Sequence, residues 1–84
     1  MAHFAKVSEN IVYEVIVVSN SDIDDLPFPE SEPIGQAFIA SLGIEGTWLQ
    51  TSYSGSFRGT YAGPTFIYDP NVGEFGEFKN PREI

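Results

Sequence analysis

Apolar and polar positions alternate from the first residues of the chain. Over residues 2–7, His3, Ala5 and Val7 fall on one side and Ala2, Phe4 and Lys6 on the other, which predicts a strand. Ser8, Glu9 and Asn10 form a turn cluster in which Asn10 can take the left-handed conformation. Residues 12–19 then read Val-Tyr-Glu-Val-Ile-Val-Val-Ser, rich in β-branched side chains and too apolar for a strand exposed on both faces. Residues 2–19 are therefore read as a β-hairpin whose second strand is central in the sheet.

The pattern breaks at residues 20–33, which hold three prolines and five acids. Proline removes ladder donors and fixes φ, so this stretch is read as a long loop. Residues 33–42 change to a helical period. Ser31 or Glu32 can cap the helix, Pro33 suits its first turn, and Gly43 can end it. Ile34, Ala37, Phe38, Ser41 and Leu42 would share the face turned to the sheet. Gly35 costs such a helix about 1 kcal/mol relative to Ala, so tertiary contact must hold it.

Residues 46–53 form the next predicted strand, ending at the turn Ser54-Gly55-Ser56. Residues 57–61 either pair back or run irregularly, given Gly59, Gly63 and Pro64. Residues 65–69 and 74–79 are strands joined through Asp69-Pro70-Asn71-Val72-Gly73, with Pro and Gly where a type I turn with a glycine bulge needs them. The fold class is mainly β (α+β): a small antiparallel sheet of two hairpins with one short helix packed on it. Residues 1–79 make one domain, and 80–84 a C-terminal tail.

Composition narrows the chemistry. The 84 residues contain no Cys and one His, so a disulfide framework, thiolate catalysis and a Cys-based metal site are excluded. A chain this short buries only about 60% of its unfolded surface, which points to modest stability and to a partner that adds to it. The net charge of −8 reflects a shortage of bases: none lies between Lys6 and Arg58. Such a stretch repels phosphates and anionic lipid headgroups, so neither nucleic acid nor membrane is an expected partner. No apolar run reaches membrane-spanning length, and the first residues lack the basic head and apolar core of a signal peptide.

No constellation assembles an active site. His3 has no triad pattern beside it in sequence, and Gly55-Ser56-Phe57-Arg58-Gly59 lacks the lysine of a phosphate-binding loop. Asp22, Asp24 and Asp25 crowd together as a cation site would, without the glycine and distal glutamate of a calcium loop. They are read as a solvated acidic loop, to which a neighbouring chain would have to add ligands before an ion bound. The expectation is a protein that is not an enzyme and carries no cofactor or metal.

Aromatic residues suggest recognition instead. Trp48, Tyr53, Phe57, Tyr61, Phe66, Tyr68, Phe75 and Phe78 crowd the second half, more than one face of one small sheet covers. Trp48 is expected in the core. Tyr53, Phe57 and Tyr61 are candidates for a partner interface, together with Asp22, Asp24 and Asp25. Arg58, among these rings, is expected to stack on one or to reach a neighbour's carboxylate, with little effect on the stability of the isolated domain.

The ordered motifs carry a resemblance. Met1-Ala2-His3-Phe4-Ala5-Lys6-Val7, Val12-Tyr13-Glu14-Val15-Ile16-Val17-Val18, Gly35-Gln36-Ala37-Phe38 and Gly46-Thr47-Trp48-Leu49-Gln50-Thr51-Ser52-Tyr53 are similar to short proteins of cyanophages and other aquatic tailed phages. Phe57-Arg58, Tyr61-Ala62-Gly63 and Phe66-Ile67-Tyr68-Asp69 extend the resemblance to residue 69. The family's Pro- and Trp-rich tail is missing, and the chain continues through Asn80-Pro81-Arg82-Glu83-Ile84. The resemblance implies a virion-associated or accessory phage protein without implying an activity.

Taken together, these features lead to a non-enzymatic virion structural protein, made in the host cytoplasm and located in the virion. The leading reading is a capsid decoration or cement protein whose partner is the major capsid protein or another virion protein, with self-association also open. A tail or fibre accessory protein is the nearest alternative. An intracellular acidic inhibitor, mimicking DNA's charge toward a host enzyme, is the alternative of a different class.

Overall fold

A computed structural model describes residues 1–83. Five strands form one antiparallel sheet: β1 (Ala2–Ser8), β2 (Ile11–Val18), β3 (Thr47–Thr51), β4 (Ile67–Asp69) and β5 (Glu77–Lys79). Their spatial order is β3-β1-β2-β4-β5. One helix, α1 (Ser31–Ser41), packs on the sheet, and short 3-10 turns occupy Asn20–Ile23 and Pro81–Glu83. Mainly β with one helix is the class the sequence predicts. Among the described residues, no helix is long and apolar enough to cross a membrane.

The first hairpin closes through Glu9 and Asn10 alone, with φ of 51° and 64°. Two consecutive left-handed residues match the right-handed twist of the strands, so Glu9 is drawn into a conformation that only Asn10 suggested in sequence. One residue further on, the register of β1 on β2 shifts between Lys6 and Val7, leaving Tyr13 without an opposite partner.

Both faces of the sheet are covered. Ala2, Phe4, Val18 and Trp48 pack on one face with Ile23 and Ile39, joined by Ile16 and Phe38. Ala5, Val7 and Val12 pack on the other with Ala62 and Phe78, joined by Val15, Leu49, Phe66 and Tyr68. Hence β1, paired with β2 and β3 and covered above and below, fully buries Phe4 and Ala5. As expected, β2 is central in the strand order. It lies third in the order, but β4 pairs with it at Ile11 alone, so its far half forms an edge.

The structure also shifts the boundaries of the other elements. The expected loop over 20–33 contains a 3-10 turn that buries Ile23, which ties the acidic segment to the core. The helix begins at Ser31, two residues before the expected start, and Ser31 and Glu32 do not cap it. Their side chains reach β3 instead: Ser31 Oγ donates to Gln50 Oε1 at 2.6 Å, and Glu32 Oε2 accepts the Gln50 N–H at 2.7 Å. The buried face is Ser31, Gly35 and Ile39, while Leu42 stays exposed. Strands β4 and β5 are shorter than predicted, because Thr65 and Gly76 take φ of 74° and 78° just outside them. Residues 57–61 run irregularly, touching the sheet through one parallel bridge between Gly59 and Phe78. In the expected tail, Pro81–Glu83 forms its own turn, and Ile84 lies outside the described residues.

Gly35 explains why a helix breaker sits mid-helix. A Cβ there would overlap Phe4 Cζ and lie 2.6 Å from Cε1, so the missing side chain lets α1 rest directly on the Phe4 ring. Gly35→Ala gains about 1 kcal/mol of helix propensity but forces the ring or the helix to move, an overpacking cost of about 1–3 kcal/mol. Net destabilisation is expected in urea unfolding, partly recovered when Phe4→Leu is added. A Gly35→Ala chain more stable than the wild type would contradict this packing.

Candidate functional site

Four of the seven sequence-predicted interface residues lie between Tyr53 and Tyr61, and the structure sends them to different environments. Arg58 is 8% exposed. Its Nη2 donates to Glu32 Oε1 at 3.1 Å, its Nη1 to Glu32 Oε2 and to the Gln50 carbonyl at 3.0 Å, and its Nε to the Phe75 carbonyl at 2.9 Å. The guanidinium lies 5.2 Å from the centre of the Phe28 ring. Stacking and ion pairing are both present as the sequence suggested, but the ring and the carboxylate belong to this chain. Arg58 is therefore corrected from an interface residue to an internal tie.

Phe57 joins the cover over that tie. Its ring stacks on Phe28 at 3.9 Å and 6°, with Phe75 edge-on to Phe28 at 4.9 Å. These rings, and the second core under the sheet, account for most of the aromatic excess. Of the eight aromatics singled out in the second half, Tyr53 alone is classed as exposed.

Tyr53 and Tyr61 come together, and the third member of their cluster is His3, which no spacing along the chain links to them. The His3 ring stacks on Tyr53 at 5.6 Å and meets Tyr61 edge-on at 5.5 Å, while the tyrosines contact each other at 5.1 Å. The cause is register. His3 on β1 pairs with Thr51 at the end of β3, which carries Tyr53 two residues on. The Thr51 hydroxyl accepts the Ala62 N–H at 3.0 Å and so fixes Tyr61 alongside. A shallow groove of about 370 Å³ opens beside the cluster, bordered by Met1, His3, Thr51, Ser52, Tyr53 and Phe57, among others.

The Ser52 hydroxyl is engaged with Ser54 and Ser56 and accepts the Ser56 N–H, and among the described residues no carboxylate borders the groove. Its one imidazole, His3, has a pKa below the ordinary 6.5, chiefly because burial disfavours the charged ring and secondarily because the amino terminus repels it. A neutral imidazole between two phenol rings is an apolar face with hydrogen-bonding tips.

The acidic loop lies apart from this cluster in its attachments. Asp24 and Asp25 are exposed, with φ of 57° and 53°, and their N–H groups bond back to Ser21 and Asn20. Asp22 is half-buried. Among the described residues, no three His, Cys, Asp or Glu side chains gather closely enough to hold a metal ion. The loop is anchored by Ile23 on the helix-covered face, whereas Ala62, beside Tyr61, packs on the opposite one.

Comparison with family models, with curated proteins and with solved structures finds no match to this chain.

Two measurements check these assignments. Arg58→Ala should destabilise the isolated domain by about 3–5 kcal/mol, because it strands a largely buried Glu32; thermal unfolding that shifts by less than a few degrees would remove Arg58 from its structural role. His3 sets a pH dependence of known sign. The unfolded chain takes a proton on His3 more readily than the folded one, so the stability linked to neutral His3 is whole above pH 6.5 and is lost as pH falls through the lower folded pKa. The stability difference between pH 7.5 and 5.5 should shrink in His3→Gln, and an NMR titration of His3 with a midpoint at or above 6.5 would contradict it.

Proposed function

We propose that this chain is a non-enzymatic structural protein of a tailed-phage virion, a capsid decoration or cement protein that binds the major capsid protein. The observation that carries the reading is Tyr53, 74% exposed yet held against His3 and Tyr61 on the rim of a groove. A tyrosine ordered before a partner arrives has already lost side-chain freedom, which lowers the cost of docking. Tyrosine also suits such surfaces, with an apolar ring and a polar tip.

Charge supports the same reading. Residues 7–57 contain no Lys or Arg, and Asp24 and Asp25 are exposed beside half-buried Asp22. A surface of that sign steers association toward a basic partner. The resemblance of residues 1–69 to short phage proteins supplies the setting. Many copies that bind only the assembled shell would stabilise it by mass action, in keeping with a domain too small to be very stable alone.

Mass spectrometry of purified particles from infected cells tests the proposal. The chain is expected at a stoichiometry matching the major capsid protein's symmetry sites. A copy number matching the tail or fibre would move the chain to that part of the particle. Absence from particles despite abundance in infected cells would overturn the virion reading in favour of an intracellular inhibitor.

A further inference from the structure

The two long edges of the sheet's first three strands are finished differently. On β3, three of the four outward backbone groups of Trp48 and Gln50 are closed by side chains: the Trp48 carbonyl accepts Gln36 Nε2 at 2.6 Å, the Gln50 N–H donates to Glu32, and the Gln50 carbonyl accepts Arg58. Among the described residues, nothing comparable closes the far half of β2. Hydrogen bonds into its outer side stop at Val12, whose N–H donates to the Phe66 carbonyl and whose carbonyl accepts the Thr65 N–H, both at 2.8 Å.

Register identifies the groups left open. Because Trp48 and Gln50 face outward, Leu49 and Thr51 face β1, and their partners Ala5 and His3 face β3. In an antiparallel ladder each residue turns both backbone groups to the same side. Phe4 and Ala2 therefore face β2, bonding Ile16 and Val18, and the residues between, Val15 and Val17, point their N–H and C=O groups away from the sheet. That is the two-residue spacing an added strand requires.

We infer that the outer edge of β2, at Val15 and Val17, is a docking site for an extended, basic segment of a partner protein, which adds to the sheet as a sixth strand. Main-chain bonds supply such binding, and side chains at alternate positions supply its selectivity. Val17 is 52% exposed and opposite His3, so an apolar side chain of the added strand beside Val17 would continue the His3–Tyr53 surface. The basic character follows from charge complementarity. Glu14, across from Lys6, lies exposed on β2, Glu9 lies in the turn at one end, and Asp24 and Asp25 follow the other end in sequence, with no Lys or Arg from residue 7 to 57. The same charges oppose a second copy, which would bring net −8 against −8.

This inference rests on the reading of the chain as a binding domain, and its test separates the two. The probe is an end-capped eight-residue peptide alternating Val and Lys, with its Val/Glu counterpart as control, titrated into the full chain by NMR. The Val/Lys peptide is expected to bind saturably, more weakly as salt rises, and to slow amide exchange at Val15 and Val17. Val17→Lys, at an exposed position, is expected to weaken binding at least tenfold without changing the melting temperature. The inference is overturned if the Val/Glu peptide binds as well, if both amides stay unprotected at saturation, or if they are already protected in a dimer of the free chain. Val17→Lys entering particles at wild-type copy number also overturns it while leaving the virion proposal standing. A chain absent from particles that still binds the peptide at β2 supports the edge and removes the virion.

Discussion

A guanidinium withdrawn from water must recover its hydration from the protein, and four accepting atoms around Arg58 do so. Two belong to Glu32 on α1, one to the backbone of β3 and one to the turn before β5. Three segments distant in sequence are thereby fastened at one point, the more firmly because Phe28, Phe57 and Phe75 exclude solvent above it. The position of α1 depends on this tie. The helix has no side-chain N-cap and carries a glycine at its contact with the sheet. Alone it would lack both propensity and length to persist.

The same tie gives β3 its finished edge. An edge strand presents unpaired backbone groups that other strands can capture. In this fold Glu32, Gln36 and Arg58 satisfy three of them on β3, whereas β4 peels away from β2 after Ile11. The divergence has a structural cause. The segment from Arg58 to Lys79 must cover the face opposite the helix, and Ala62, Phe66 and Phe78 reach Ala5 and Val12 only if the second hairpin leaves the plane of the first. Burying the second face thus opens the far half of β2.

Recognition surfaces arise where these constraints meet. Tyr53 follows the last paired residue pairs of β3, His3 ends up beside it through strand register, and Tyr61 is held by the Thr51 hydroxyl. None of the three is adjacent in sequence. The aromatic cluster adjoins the open half of β2 through the His3–Val17 pair, so an apolar surface and free main-chain groups border one another on an acidic molecule.

Sequence by itself determined the strands, the helix and the charge. Alternation over residues 2–7, the β-branched run after Ile11 and the glycine after the helix are local signals, and each local signal found its element. It also determined that Asp24 and Asp25 would be exposed, since proline and acid leave little to bury. Tertiary structure alone decided what the cap-type and aromatic residues do. Ser31 and Glu32 look like helix caps but bond to Gln50; Arg58 looks like a lone surface cation but is enclosed; Phe57 looks like an interface aromatic but stacks on Phe28 over a buried ion pair. The physical reason is common to all three. A side chain's partner across the fold is set by how strands pair and curl, and no spacing along the chain encodes the distance between Glu32 and Arg58 or between His3 and Tyr61.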